Sequence, residues 1–239
     1  MQTVAIILTN YKRAQNLPRI VRDCLAAQHR PDVIVIDNAE HDRLRESLDF
    51  SSGRVDYRPN FGNLGAGHRF SVGAELGYDV VLAIDDDLFL TPRQIDRLAG
   101  AYSEDPGRIH GVWGENIILR DGRPFFLNSR RRINDDTDII NRAYAFGPAL
   151  AAETKALVPK LGFKDWLDAA PSDDVLLSFS SERRPRIHNF GKLNACETSG
   201  AVGIAQWRQE DFRPRRWEAI KKLFKIRPSR APEWFSSMR

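Results

Sequence analysis

Three consecutive carboxylates, Asp85, Asp86 and Asp87, directly follow the apolar run 80–84. Carboxylates crowded at the end of a buried strand repel one another, and burial makes their charged state still less favourable. A hard divalent cation relieves this repulsion because it prefers oxygen ligands, and a diphosphate can complete its coordination shell. The run therefore predicts a metal site; the alternative is a solvated acidic turn before the next helix.

A second polar pair, Asp37 and Asn38, follows the apolar run 33–36. A carboxylate and an amide at this position could hydrogen-bond a nucleotide base or ribose. The alternative is a turn, because both residue types also bond their own backbone and initiate turns.

The glycine-rich stretch 60–67 lies between these two acidic sites. It lacks the Gly-Lys-Ser/Thr ending of a P-loop, and it does not follow the first strand as a dinucleotide fingerprint does. Its glycines allow tight turns and a close approach of the backbone to a ligand. Asn60, Asn63 and Arg69 could contact that ligand; an ordinary loop is the alternative.

An acidic pair, Asp173 and Asp174, follows Ser172 and precedes an apolar helical segment. A carboxylate here could face an acceptor hydroxyl as a general base, or it could stabilise a sugar cation. The alternative is structural, since Ser caps a helix and early acidic residues complement its dipole. His188 could be a third metal ligand, but a hydrogen-bonded structural histidine is the favoured interpretation.

The elements that position these residues follow from the hydrophobic pattern. The apolar runs 4–8, 33–36 and 80–84 predict buried strands, with a helical stripe after the first. Strands that alternate with helices indicate an α/β fold with a mainly parallel sheet. Because ligands bind beyond the carboxyl ends of such strands, Asp37 and residues 85–87 are expected in one crevice.

The second half of the chain has a mixed pattern. The predicted elements are a helix from Thr91-Pro92, a hairpin turning at Asp121-Gly122, a strand over 139–146, helices over 149–157 and from Ser172, and a helical tail. We expect a single domain with a nucleotide-binding half over 1–110, an acceptor half over 111–212 and a basic tail over 213–239.

Composition limits the class of protein. The chain has 239 residues, of which 42% are hydrophobic and 28% charged, as in a folded globular protein. No apolar run approaches the roughly 20 residues that span a bilayer, and no signal peptide is recognisable. The only cysteines, Cys24 and Cys196, form no disulfide framework, which predicts a cytoplasmic location.

The net charge of +4 is unevenly distributed, with basic clusters at 130–132, 183–186 and from Arg213 onward. Each cluster is either a solvated face or a site that attracts a diphosphate, an anionic membrane or nucleic acid. In the tail, Trp217, Ile220 and Phe224 accompany the basic residues at helical spacing. This combination predicts peripheral contact with an anionic membrane.

The order and spacing of several segments resemble those of GT-A glycosyltransferases. These segments are 4–13, 37–38, 63–65 and 82–87, and the last contains a DxD-type motif formed by Asp85 and Asp87. The resemblance extends from about residue 4 to residue 224 and is strongest in the first half.

The downstream segments are similar to one branch of that family, the exostosin-like transferases. The similarity rests on 82–87, on 166–169 followed by Asp173-Asp174, and on Cys196-Glu197 with Gly203-Ile204. Asp173 stands where Glu is more common, and a second cysteine is not evident near Cys196. These departures argue against heparan-type acceptors.

The resemblance implies a GT-A fold, a nucleotide-sugar donor and a divalent metal, Mn²⁺ or Mg²⁺. It assigns Asp87 to the metal, Asp85 to the metal or ribose, and Asp37 to the base; Asp174 matches the usual catalytic carboxylate, with Asp173 beside it. His188 remains a candidate third ligand. The residues expected to bind the donor are Thr9, Asn10, Arg13, Asp37, Asn38, Asn63, Arg69, Asp85 and Asp86.

We therefore expect a metal-dependent hexosyltransferase that uses a nucleoside-diphosphate sugar, with UDP favoured, and a glycan or lipid-linked acceptor. Inversion and retention of stereochemistry both remain open. One alternative is a sugar-phosphate nucleotidyltransferase, although residues 9–13 lack the glycine-rich signature of those enzymes. The other is a non-enzymatic module that binds anions or nucleic acid, which leaves the acidic residues unexplained.

Overall fold

The computed structural model describes residues 2–39, 42–128, 134–200 and 206–238. The basic cluster 130–132 and the Gly203-Ile204 pair lie outside these ranges, as does the last residue of the basic tail.

Four parallel strands form the N-terminal part of the main sheet, in the order β3-β2-β1-β4. The elements of this half are β1 (Val4–Asn10), α1 (Leu17–Leu25), β2 (Asp32–Asp37), α2 (Asp42–Ser47), β3 (Val55–Pro59), α3 (His68–Glu75) and β4 (Val80–Asp85). This arrangement confirms the predicted strands and the α/β fold class.

Both faces of β1 are buried, which explains its continuous apolar run. Ala5 and Ile7 pack into the core on one face of the sheet, whereas Val4, Ile6 and Leu8 pack into the core on the other. Successive side chains of a strand point to opposite faces, so a strand covered on both sides has no position for a polar residue until it ends.

The second half contributes shorter strands and longer helices. Its elements are β5 (Leu88–Phe89), α4 (Pro92–Glu104), β6 (His110–Gly111), β7 (Gly114–Arg120), β8 (Arg123–Asn128), β9 (Asp135–Asp136), β10 (Ile139–Ile140), β11 (Ala143–Phe146), α5 (Pro148–Lys160), α6 (Trp166–Ala169), α7 (Asp173–Ser178), β12 (Arg186–Ile187), β13 (Asn194–Ala195) and α8 (Phe212–Ile226). The main sheet continues as β4-β11-β6-β12-β9, with β11 antiparallel to β4.

The predicted hairpin is present, with β7 and β8 paired antiparallel around Asp121 and Gly122. Both turn residues have positive φ, at 52° and 70°, as the tight turn that matches strand twist requires. The strand expected over 139–146 is instead two strands. β10 pairs with β7 in a three-stranded sheet, whereas β11 joins the main sheet, so the chain changes sheets between them.

Helix α8 belongs to the core. Ile220, Leu223 and Phe224 are buried, and Trp217 packs against the same cluster. Each fully buried side chain of this kind contributes roughly 1.5–3 kcal/mol, which anchors the helix to the protein. The apolar side that the membrane hypothesis requires is therefore occupied, and the structure does not support that contact. Among the described residues, no helix is long and apolar enough to cross a membrane.

Candidate active site

A cavity of about 370 Å³ opens beyond the carboxyl ends of β1 and β4. The ends of these strands supply Thr9 and Asp85, α7 supplies Asp173 and Asp174, and α8 supplies Arg216. The cavity is therefore bounded by elements from both halves of the chain, at the position where parallel α/β sheets bind ligands.

Asp85, Asp86 and Asp87, which we call the strand-end carboxylates, lie on one side of the cavity. Asp85 Oδ1 accepts a hydrogen bond from Arg69 Nη1 at 2.9 Å. Asp86 is nearly buried and accepts bonds from Arg13 Nη1 at 2.7 Å and from the backbone N–H of Tyr11 at 2.9 Å. These two carboxylates are already compensated by the protein.

Asp87 differs from its two neighbours. It is only 8% exposed, and its Oδ1 has no hydrogen-bond partner among the described residues. Its Oδ2 lies 3.5 Å from Arg13 Nη2. Burial, with added repulsion from Asp85, raises the pKa of Asp87 to about 6. A buried carboxylate oxygen without a partner suits an oxygen-preferring cation.

No group of three or more His, Cys, Asp or Glu side chains in the described ranges converges closely enough to hold a cation alone. The residues present therefore fit a cation that takes few protein ligands and completes its shell with water or phosphate oxygens, as Mg²⁺ does. Thr9 Oγ1, also buried at the cavity wall and unpaired within the described chain, is a further free oxygen.

The helix-start carboxylates, Asp173 and Asp174, lie at the beginning of α7. Asp174 Oδ1 accepts hydrogen bonds from Arg216 Nη1 at 2.6 Å and from the backbone N–H of Val175 at 2.7 Å. Arg216 is almost fully buried and also reaches Glu115 at 3.1 Å. Burial raises the pKa of Asp174, and Arg216 opposes that rise.

Asp173 has a weaker partner. Its Oδ2 lies 3.8 Å from Arg69 Nη2, the arginine that also bonds Asp85. Burial raises the pKa of Asp173 to about 6, although the charge of Arg69 opposes that rise. Arg69 therefore links the two carboxylate groups across the cavity.

The predicted cap at Ser172 is wrong. The Ser172 side chain makes no capping hydrogen bond, and its backbone has φ −111° and ψ 12° rather than the extended conformation of a cap. The hydroxyl therefore does not fix the start of α7, and Arg216 holds Asp174 instead.

Most of the predicted site residues line the cavity: Thr9, Arg13, Asn38, Asn63, Arg69, Asp85, Asp86, Asp87, Asp173 and Asp174. Asn10 and Asp37 are not in its wall. Asp37 is wholly buried and accepts hydrogen bonds from Asn10 Nδ2 and the Tyr57 hydroxyl, each at 2.8 Å. It ties β1, β2 and β3 together rather than presenting its carboxylate to the cavity.

His188 is also outside the cavity wall. Its Nε2 lies 2.9 Å from Nδ1 of His110, and its ring stacks on Phe190. Burial and the neighbouring His110 lower the pKa of His188 to about 4. The structure does not bring His188 to the strand-end carboxylates, and its contacts match the structural interpretation.

The glycines expected to approach a ligand approach Trp166 instead. Gly65 has φ +80°, and a Cβ there would lie 2.9 Å from the Trp166 carbonyl oxygen; a Cβ on Gly67 would overlap the indole ring. Trp166 is buried, and its indole N–H donates to the Ser71 hydroxyl. Asn60 Nδ2 donates to Asn38 Oδ1, so this loop supports Asn38 in the cavity.

Several cavity residues were not predicted from the sequence, and they come from segments far apart in the chain. They include Trp113, Glu115, Asn141, Arg142, Tyr144, Trp207, Phe212, Arg213 and Arg216. In the sequence, Arg213 and Arg216 were recognised only as members of a basic tail. The basic cluster alone did not distinguish the buried Arg216 from the exposed Arg213.

Comparison with known proteins gives a family and a fold. Residues 5–151, more than half of the chain, match the model of Glycosyl transferase family 2. Among solved structures, the chain is similar to GalNAc-T7 crystallised with UDP, GalNAc and Mn²⁺, with a TM-score of 0.55 and 11% sequence identity. The match covers 82% of this chain and 43% of that one. No curated protein matches the sequence significantly.

Proposed function

We propose that this chain, which belongs to glycosyltransferase family 2 and has the GT-A fold, catalyses a metal-dependent hexosyl transfer. The donor is a nucleoside-diphosphate sugar, preferably a UDP-sugar, and the acceptor is a glycan or a lipid-linked sugar. Residues 1–110 hold the donor, and residues 111–212 with Arg213 and Arg216 form the acceptor side.

One observation carries this proposal: the unpaired, buried Oδ1 of Asp87 beside two carboxylates that already have partners. Mn²⁺ or Mg²⁺ held by Asp87, with Asp85 beside it, would supply the charge that stabilises a leaving diphosphate. The GalNAc-T7 structure, which shares the fold, was obtained with UDP and Mn²⁺, and this supports the same pairing here.

The protein's own residues divide the remaining tasks. Asn38 and Asn63 line the cavity beyond β2, where their amides can bond the nucleotide, and Asp37 fixes the strand ends behind them. Asp174 presents a carboxylate whose position is fixed by Arg216. This carboxylate orients the acceptor hydroxyl and, in an inverting reaction, takes its proton.

The alternatives receive less support. Family membership favours glycosyl transfer over nucleotidyl transfer. A nucleic-acid module does not account for five aspartates in one cavity wall, because carboxylates repel phosphate unless a cation lies between them.

A donor-hydrolysis screen tests the proposal directly. UDP-, GDP-, TDP- and CMP-sugars are incubated with the protein and Mn²⁺, with and without EDTA. We expect sugar release from one nucleotide class, and we expect EDTA to abolish it. Asp87→Asn should lose this activity, whereas Asp121→Asn, on the exposed hairpin turn, should keep it. Absence of hydrolysis with every donor, or hydrolysis unaffected by EDTA, would contradict the proposal.

A further inference from the structure

Arg142 occupies an unusual position between β10 and β11, in the wall of the cavity. Its carbonyl oxygen accepts a hydrogen bond from the backbone N–H of Asp85 at 2.8 Å. The residue is therefore fixed beside the first strand-end carboxylate, immediately before the strand that pairs with β4.

The backbone at this position is strained. Arg142 has φ 67°, and the N–H of Ala143 bonds the carbonyl of Asn141 at 2.9 Å, which closes a three-residue turn around Arg142. Turns of this kind with a positive central φ are rare, and a non-glycine residue in such a conformation costs on the order of 1–3 kcal/mol. Glycine or asparagine would fit this backbone better, so the reason for an arginine is to be sought in its side chain.

Arg142 differs from the buried arginines of the cavity wall in what its guanidinium contacts. The buried arginines of the cavity wall, Arg13, Arg69 and Arg216, each hydrogen-bond a carboxylate within 3.0 Å. Arg142 makes no salt bridge within the described part of the chain, and its guanidinium lies 4.4 Å from the centre of the Trp113 ring. Stacking on an indole orients a guanidinium while leaving its N–H groups free for a planar or tetrahedral anion.

We propose that Arg142 is a catalytic residue that binds the terminal phosphate of the donor diphosphate and stabilises the charge formed when the sugar leaves. This inference rests on the proposed function, and it gives one residue of the acceptor half, Arg142, a contact with the donor. The bond between the anomeric carbon and the phosphate oxygen breaks, and its electron pair stays on that oxygen. The acceptor oxygen bonds the anomeric carbon, and its proton passes to a carboxylate of the acceptor side.

Charge accounting explains why a second cation is useful. The diphosphate of a nucleotide sugar carries about two negative charges, which a divalent cation balances. The released nucleoside diphosphate gains about one more at neutral pH, because the second ionisation of a terminal phosphate has a pKa of about 6. Arg142 supplies one positive charge in the same cavity wall as Asp87, and this charge opposes the rise in the pKa of Asp87. The stabilisation by Arg142 should therefore increase as the bond between the sugar and the phosphate breaks. Loss of Arg142 should lower kcat more than it weakens binding of the donor.

The test uses three variants and two ligands. Arg142→Asn suits the strained backbone and removes the charge, whereas Arg142→Lys keeps the charge and loses the fork of N–H groups. Arg97→Gln is the matched control, because Arg97 also stacks on an aromatic ring, Phe190 at 4.5 Å, but lies outside the cavity wall. Calorimetry with Mn²⁺ measures binding of UDP and UMP, or the pair for the nucleotide selected by the donor screen.

We expect Arg142→Asn to lower kcat by on the order of a hundredfold, as removal of one charge-stabilising donor does, with little change in the KM of the donor. UDP binding should weaken by about tenfold or more while UMP binding changes less, and the melting temperature should not fall. Arg142→Lys should recover part of kcat, and Arg97→Gln should match wild type.

The possible failures are distinguishable. If wild type binds no nucleoside diphosphate with Mn²⁺, the proposed function itself fails. If wild type binds UDP but Arg142→Asn weakens UDP and UMP equally, or changes only the KM of the acceptor, the assignment to the terminal phosphate is wrong and the proposed function stands. If Arg142→Asn unfolds the protein while Arg142→Lys has normal kcat, the side chain is structural and the inference is also wrong.

Discussion

The strand-end and helix-start carboxylates face one cavity, but the protein compensates their charge in different ways. Asp174 hydrogen-bonds Arg216, an almost fully buried arginine from α8. Asp87 is also buried, but one of its oxygens has no partner among the described residues, and Arg13 approaches the other only to 3.5 Å. Asp174 is therefore paired with a cation of the protein itself, whereas Asp87 has room for a cation from outside.

This difference separates two roles that acidic residues can take in a site. A buried carboxylate paired with an arginine is held in one position in its charged state, which suits a group that must orient a substrate. A buried carboxylate with a free oxygen is unstable until a cation arrives, and part of the binding energy comes from relief of that instability. The predictions below test whether the two groups differ in this way.

The largest effect is expected from removing the positive charge of Arg216. Arg216→Gln leaves Asp174 and Glu115 without their shared partner, and breaking a buried ion pair typically costs 3–5 kcal/mol, so we expect a loss of about that size in the free energy of unfolding. Urea denaturation measures it. Arg215→Gln, an exposed neighbour on the same helix, should change stability by less than about 0.5 kcal/mol.

A double variant shows whether the loss comes from the pair itself. Arg216→Gln with Asp174→Asn removes both charges, so it should be more stable than the sum of the two single effects predicts. Additive single effects would mean that Arg216 stabilises the protein through other contacts. The conclusion that Arg216 compensates the charge of Asp174 would then be wrong.

The next effect concerns turnover. Asp174→Asn keeps the shape of the side chain and removes its charge, so donor affinity should change little while kcat falls by on the order of a hundredfold or more. Steady-state kinetics with the donor selected by the screen measure both parameters. Because Asn can still bond Arg216, the melting temperature reports whether any loss is structural.

Asp173→Asn is the matched variant for this experiment. Asp173 lies 3.8 Å from Arg69 and makes no close bond to an arginine, so we expect a smaller loss of kcat. If Asp173→Asn is inactive and Asp174→Asn nearly normal, the more weakly paired carboxylate is the one that handles the proton. Full activity of both variants would leave the pair with a structural role only.

How much of this site can be predicted from the sequence depends on how far apart in the chain its contacting residues lie. The strand-end carboxylates could be located because a continuous apolar run predicts a buried strand, and the polarity of a parallel sheet fixes where its end lies. Asp174 and Arg216 are separated by 42 positions, and Arg216 and Glu115 by 101. No local periodicity connects such residues, so Arg216 could not be distinguished from other basic residues of the tail.

The same reasoning applies to the fold. The three parallel strands that follow from apolar runs, β1, β2 and β4, were predictable, but the division of 139–146 into two strands was not. Its apolar residues suit either sheet, and only the partners of Ile139–Ile140 and Ala143–Phe146 show that the chain changes sheets between them. Arg142 stands at that change, where local propensity and the observed backbone disagree most clearly.

Asp87→Asn should have opposite effects on stability and on binding. Burial raises the pKa of Asp87 to about 6, so the charge it carries at neutral pH is less favourable in the folded protein than in the unfolded chain. Without metal, the neutral variant should be more stable than wild type by on the order of 1–3 kcal/mol. Affinity for UDP in the presence of Mn²⁺ should fall by at least about tenfold. Urea denaturation with EDTA and calorimetry with Mn²⁺ measure the two effects, and Asp121→Asn should change neither.

The smallest effect is a pH dependence that should belong to one carboxylate. The pKa of Asp87 is raised from its ordinary value near 3.9 to about 6, so the proton is lost between pH 5 and pH 7. Only the deprotonated form can hold a cation, so affinity for a UDP-sugar with Mn²⁺ should rise about tenfold from pH 5 to pH 7. Stability without metal should change in the opposite sense, because the folded state binds this proton more tightly than the unfolded chain does. A nucleotide sugar is the suitable ligand, since it lacks the terminal phosphate that titrates near pH 6.

Burial also raises the pKa of Asp173 to about 6, so Asp173→Asn is the necessary control. The pH dependence should persist in Asp173→Asn and disappear in Asp87→Asn; the reverse result would place the cation nearer the helix-start carboxylates and remove the distinction between the two groups.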